Sequence, residues 1–159
     1  MSKVAMVRVA RVSDVMTEGV VFVHAETDAR GAAEVLARHR INGAPVLGKH
    51  GRVVGVVSKT DLLDSRHQPP DREMLVEDAM TRVVFAVRAE DPVMLAVRLM
   101  IDEEIHRALV VNDDGTLAGI VAPMDVLRGL ANGLNIGDAP DAEPVSFVDL
   151  RKLRIVRGN

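Results

Sequence analysis

No cysteine, tryptophan or tyrosine occurs in the 159 residues, and phenylalanine stands only at Phe22, Phe85 and Phe147. Without cysteine, disulfides and thiolate metal sites are excluded, which fits a reducing interior. The shortage of aromatics removes the platforms on which nucleic-acid binders stack bases. A net charge of −3 adds no pull toward a phosphate backbone. No apolar run approaches the ~18–20 residues that cross a bilayer. Arg8 and Arg11 interrupt the first dozen residues, so these lack the apolar core of a signal peptide. Neither nucleic acid nor membrane is an expected partner, and the expected location is the cytoplasm. The histidines, His24, His39, His50, His67 and His106, show no i, i+4 ligand spacing, so no metal site is expected.

What the chain does have is one pattern stated twice. Asp14-Val15-Met16-Thr17 returns as Asp78-Ala79-Met80-Thr81. Gly55-Val56-Val57-Ser58-Lys59-Thr60-Asp61 returns as Gly119-Ile120-Val121-Ala122-Pro123-Met124-Asp125. The offset is 64 each time (14 to 78, 55 to 119, 61 to 125), with nothing inserted between residues 14–63 and 78–127. A fixed period means two copies of one structural unit, and a pocket between paired copies is the natural ligand site. Apolar residues make up 48% of the chain, enough to give both copies a core.

Each copy opens on strand formers, Val20–Val23 and Val83–Val87. A helix is predicted next, with Thr27 as N-cap in one copy and Asp91, followed by Pro92, in the other. Its apolar stripe, Ala29, Ala32, Ala33, Leu36, recurs as Val93, Ala96, Val97, Met100 in i, i+3, i+4, i+7 register. A hairpin follows: Ala44–Leu47 with Val53–Val57 around His50-Gly51, then Ala108–Val111 with Leu117–Val121 around Asp114-Gly115. Gly55 and Gly119 fall inside its second strand, where glycine weakens a sheet unless something must approach the backbone closely. A second helix runs to Asp64 in one copy and to Ala131 in the other, with Asn132-Gly133 as its stop. The fold class is therefore mixed α+β, built from two β-α-β-β-α units at 12–64 and 76–131. A linker at 65–75 joins them, and a tail at 132–159 follows.

Ser58-Lys59-Thr60-Asp61 admits two readings. As a capping box, Ser58 caps the second helix and Asp61 reaches back. As a ligand site, the helix N-terminus faces an anion, Ser58 donates to a phosphate and Lys59 adds charge. Asp61, acceptor-only when ionised, then takes both hydroxyls of a ribose. In the second copy Ala122 has no capping side chain and Pro123 no N–H, yet Asp125 persists, which a capping box explains poorly. The residues alone leave both readings open. Arg107, beside His106, and Arg40 precede the inner strands, where positive charge meets a phosphate reaching across from the other copy. Solvated charge is the ordinary reading of both. Met74, Met80, Met94, Met100 and Met124 read mostly as core filling.

The Asp-hydrophobic-Met-Thr opening, the Gly-hydrophobic-hydrophobic-Ser-x-x-Asp close and the strand–helix–strand–strand–helix order resemble a tandem pair of CBS domains, called a Bateman module. The resemblance spans residues 12–128. It implies two units packed with pseudo-two-fold symmetry and regulatory binding of an adenosine-containing ligand (AMP, ADP, ATP or S-adenosylmethionine) in clefts between them. It implies that Asp61 and Asp125 hold ribose hydroxyls and that Ser58 touches phosphate. Val15, Met16 and Thr17, with Ala44 and Pro45, would border the base in the first copy. Ala79, Met80 and Thr81, with Ala108 and Leu109, would do so in the second. Ala122 departs from the pattern, where Ser or Thr is usual, so the second cleft is expected to be weak, empty or suited to a ligand with less phosphate. CBS pairs commonly self-associate, so a homodimer is expected, with a protein target left unnamed. The alternative is a dimerisation or scaffold module with vestigial clefts.

An enzyme is not expected, and no cofactor is required. No Ser is paired with a His and Asp in recognisable context, no Walker-type loop occurs, and the chain ends soon after the repeat. The ends are the least legible parts. Met6–Val12 alternates loosely, as a strand does. In the tail, Val145, Phe147, Leu150, Leu153 and Ile155 stand among Arg151, Lys152, Arg154 and Arg157. Such a segment either folds back on its own module or covers a partner.

Overall fold

Both repeats of the computed structural model, which describes residues 8–137, 147–149 and 154–155, follow a strand–helix–strand–strand–helix order. In the first repeat β1 (Val23–His24) leads through α1 (Ala29–Arg38) to β2 (Gly43–Leu47), β3 (Val53–Ser58) and α2 (Lys59–Leu63). A short helix α3 (Val76–Ala79) opens the second. It continues as β4 (Val83–Arg88), α4 (Val93–Asp102), β5 (Ala108–Val111), β6 (Leu117–Val121) and α5 (Pro123–Ala131). The tail contributes β7 (Phe147–Asp149) and β8 (Arg154–Ile155). β1 is parallel to β2 across its helical crossover, and β3 returns antiparallel; β4, β5 and β6 repeat that plan. The second sheet runs further, in the order β6-β5-β4-β7-β8. The part of the tail within the described residues thus folds back on its own module.

The predicted helical stripe is the buried face, with Ala32 and Leu36 buried on α1 and Val93, Ala96 and Met100 on α4. Both caps fall one residue later than expected. Asp28 caps α1 by accepting from the Gly31 N–H, and the Thr27 carbonyl is already taken by the Val76 N–H. Pro92 is the N-cap of α4, while Asp91 accepts from the Arg88 N–H. The turns behave as their residues require. His50 and Gly51 both have positive φ, whereas in the second hairpin only Gly115 does. Asn132 ends α5 as expected. One strand is shorter than predicted: Val20, Val21 and Phe22 lie outside β1, although their counterparts lie inside β4. Of Met6–Val12, the first two residues lie outside the described set, and the rest is irregular rather than a strand.

Contacts between the repeats come in exchanged pairs. Arg11 bridges to Pro92 and Asp28 to Leu75; Thr17 bridges to Ile120 and Val56 to Thr81. Moving each partner by the repeat offset converts one bridge of a pair into the other. The Arg52–Thr116 bridge converts into itself, so it sits on a pseudo-two-fold axis. The segments leading into the repeats are therefore traded. Ala10 and Val12 lie in the core of the second repeat, while Met74, Val76 and Ala79 lie in that of the first. A third cluster, Leu47, Val53, Val84, Ala86 and Leu109, joins the two sheets.

This trade explains the strand glycines. A Cβ on Gly55 would stand 2.7 Å from the Thr81 carbonyl oxygen and 2.8 Å from Met80 Sδ. On Gly119 it would stand 2.8 Å from the Thr17 carbonyl oxygen and 3.0 Å from Met16 Sδ. Each Met-Thr pair seats on the glycine of the other repeat, so the two motifs read separately in the sequence are halves of one contact.

The aspartate opening each Met-Thr motif also has a structural role. Asp14 accepts from the Arg11 N–H at 2.7 Å, and Asp78 from the Leu75 N–H at 2.8 Å. Arg8 pairs with Asp14 and Arg72 with Asp78. These arginines are also 64 apart, so the ion pair repeats with the motif. The Arg11 N–H first, then Arg8, hold the Asp14 carboxyl below its ordinary value of 3.8; Arg72 first, then the Leu75 N–H, do so for Asp78. Asp64, bonded by Arg66, falls to about 2. Because these folded-state values lie below the unfolded ones, the stabilisation is present above about pH 4 and is lost as pH falls toward about 2. The melting temperature followed by circular dichroism should decline over that window, and Arg72→Met should flatten part of the decline. An identical profile in the variant would count against the pairing.

Candidate functional site

The site is assembled where β3 runs into α2. Ser58 keeps an extended backbone and caps the helix. Its hydroxyl accepts from the Asp61 N–H at 3.1 Å and donates to Asp61 Oδ2 at 2.6 Å. The Ser58 N–H donates to the same oxygen at 2.8 Å, and the Lys59 N–H donates to the Asn42 carbonyl. The capping box is therefore fully made. Its consequence for the ligand reading is specific: both Ser58 donors are spent internally, so the anion contact expected at this helix start is not on offer in this conformation. Asp61 Oδ1 differs. No described residue bonds it.

Asp61 opens into a cavity of about 320 Å³ between the repeats. That size suits a small ligand. From the first repeat Gly43, Ala44, Pro45, Val56, Val57, Ser58 and Asp61 line it; from the second come Val83, Val84, Phe85, Ile105, Arg107, Leu109 and Ile120. The walls are mostly apolar, with a carboxylate from one repeat and a guanidinium from the other. Six sequence candidates meet here: Ala44, Pro45, Ser58, Asp61, Arg107 and Leu109.

The remaining candidates lie elsewhere. Val15, Met16 and Thr17 pack on the second repeat, not beside Ala44 and Pro45, because the leading segments are traded. For the same reason Met80 and Thr81 pack on the first repeat, and Met80 borders a separate cleft with His24, Glu77 and Arg82. Ala108 is buried in the second core. Lys59 is half-buried outside the cavity lining. Asp125 sits at the head of α5, where Oδ2 accepts from the Ala122 N–H at 2.8 Å and Oδ1 from Arg128 at 3.1 Å. Half a capping box thus accounts for Asp125 without any Ser at its head. Both of its oxygens are engaged, unlike those of Asp61.

The sequence reading missed the Val83–Phe85 wall, along with Ile105 and Ile120. Their apolar character was visible, but it signals a strand or a core as readily as a cavity lining. Val56 and Ile120 line the cavity and also form the bridges to Thr81 and Thr17, so the cavity wall is part of the inter-repeat seam.

Matching against protein families agrees with this geometry: the CBS-domain model fits residues 12–67 and 76–132. The chain belongs to the CBS-domain family. Among solved structures, this CBS pair resembles CBSX2 in complex with AMP, 30% identical with a TM-score of 0.68 over 77% of this chain and 96% of that one. CBSX2 is a CBS-pair protein of Arabidopsis thaliana. The present chain also resembles the CBS domain pair of protein MJ0100 in complex with 5′-methylthioadenosine and S-adenosyl-L-methionine. That pair is 26% identical with a TM-score of 0.63, over 79% of this chain and 98% of that one. L-aspartate semialdehyde sulfurtransferase of Methanocaldococcus jannaschii is 28% identical over 117 residues, 74% of this chain but 22% of that protein. The CBS pair thus spans less than a quarter of that enzyme's length. Among the described residues no helix is long and apolar enough to cross a membrane, and no group of three or more His, Asp or Glu is placed to hold a metal ion.

Proposed function

We propose that this CBS pair is a regulatory receptor for an adenosine-containing small molecule and has no catalytic role of its own. The observation that carries the reading is the cavity that joins Asp61, with Oδ1 unbonded among the described residues, to Arg107 from the other repeat. A carboxylate oxygen suits ribose hydroxyls, apolar walls suit a base, and a guanidinium suits a phosphate or carboxylate tail. The related pairs that hold AMP, or 5′-methylthioadenosine and S-adenosylmethionine, support the same ligand class. Because Arg128 already occupies Asp125, the Asp61 side is the stronger site. Occupancy bears on Val56 and Ile120, and through their bridges on the angle between repeats, which a protein target then reads. A homodimer is supported by Leu63 and Leu127, related by the repeat offset and 81% and 54% exposed.

A thermal-shift panel of AMP, ADP, ATP, NAD, S-adenosylmethionine and cyclic dinucleotides tests the reading. A ligand of the folded state alone adds ~2.7 kcal/mol at a hundredfold excess over Kd. For a chain of this size that raises the melting temperature by roughly 5–10 °C. At least one adenosine compound should give such a shift. A stable dimer with no shift from any compound would favour a scaffold instead.

A further inference from the structure

We propose that the C-terminal strand β7 holds the β4 wall of the cavity in place and so sets the cavity's affinity, an inference that rests on reading the cavity as a nucleoside site. β4 is bonded by two different partners along its length. Ala86–Arg88 pair in parallel with Leu109–Val111 of β5, while Val83, Val84 and Phe85 pair antiparallel with Asp149, Val148 and Phe147 of β7. Val83, Val84 and Phe85 are also the β4 residues that line the cavity. The tail therefore supplies the ladder for the stretch that closes the site.

The first repeat offers a comparison. Gly19-Val20-Val21 is the repeat counterpart of Val83-Val84-Phe85, and two of its three residues are again apolar. It forms no strand, since β1 begins only at Val23. Among the described residues the first sheet ends at β1, with nothing paired on its outer edge. Backbone N–H and C=O groups need partners, and a segment without a neighbouring strand turns them to water and leaves the ladder. Two things separate the counterparts: Gly19, at φ 66, stands where Val83 opens a strand, and β7 pairs with the second stretch alone, backed by β8 through Ile155 with Val148 and Arg154 with Asp149. A wall tied into a sheet is formed before the ligand arrives, so less ordering is lost on binding. The family match ends at residue 132, so β7, unlike the Val83–Phe85 stretch it pairs with, lies outside the repeated unit.

Val148→Pro removes an N–H from the middle of β7, and a chain ending at Gly137 removes the strand altogether. Hydrogen exchange reads the wall; calorimetry with AMP, and with S-adenosylmethionine in parallel, reads the site. Exchange should quicken at Val83–Phe85 but not at Ala86–Arg88, and affinity should fall by about tenfold. Unchanged exchange at Val83–Phe85 overturns the proposal, as does full affinity in a variant whose wall has loosened. Exchange raised throughout the chain in both variants also overturns it, because the wall alone should respond. If the unaltered chain binds neither probe nor any other adenosine compound of the thermal-shift panel, the nucleoside reading fails and takes this inference with it. If the unaltered chain binds and both variants bind equally well, only this inference fails.

Discussion

Gly55→Ala should destabilise the protein by about 1–3 kcal/mol, the ordinary range for adding a methyl group to a packed interior. For a chain of this size that lowers the melting temperature by roughly 2–10 °C. The added carbon would stand 2.7 Å from the Thr81 carbonyl oxygen and 2.8 Å from Met80 Sδ. A thioether can swing aside. The carbonyl cannot, because Thr81 exchanges two backbone hydrogen bonds with Val56, at 2.8 and 2.9 Å. Adding Met80→Ala to the variant should therefore recover little of the loss. Gly119→Ala should cost a similar amount, against the Thr17 carbonyl at 2.8 Å. Chemical denaturation measures both. Two alanine variants as stable as the parent would mean that the repeats do not dock through their Met-Thr segments.

Asp61→Ala is expected to weaken binding of the adenosine ligand by about ten- to a hundredfold, since a hydrogen bond to a charged group contributes ~1.5–3 kcal/mol. Asp125→Ala should cost less, because Arg128 and the Ala122 N–H already occupy that carboxylate. Asp61 also holds the head of α2, so Ser58→Ala is the necessary companion. That change removes the cap and its hydroxyl bond while leaving the Asp61 carboxylate in the cavity. A Ser58→Ala protein that binds as poorly as Asp61→Ala would place the loss in the helix start rather than in the ligand contact. Equal calorimetric losses at positions 61 and 125 would overturn the ordering of the two clefts.

Much of this was readable in advance, for identifiable reasons. The helix stripes Ala32/Leu36 and Val93/Ala96/Met100 obey a 3.6-residue period, and the hairpins carry glycine where the backbone turns left-handed. The glycines inside β3 and β6 signalled a close approach, although not what approaches. The caps slipped by a residue because Thr27 and Asp28 both suit the position, and only the Thr27 carbonyl's bond to Val76 separates them. The site was half legible. Asp61 and Ser58 stood out by chemistry, Arg107 was a candidate whose ordinary reading is solvated charge, and Val83–Phe85 are apolar residues whose role depends on what they face. Val15–Thr17 were placed with the wrong repeat because a period shows that two units are alike, not which parts they trade.

The order of elements, their repetition and the buried faces follow from local periodicity, which a chain displays along its own length. The exchange of leading segments, the seating of each Met-Thr on the opposite glycine and the pairing of β7 with β4 were decided only by tertiary structure. Those contacts join residues far apart in the chain, and a ladder partner leaves no periodic mark on the strand it completes.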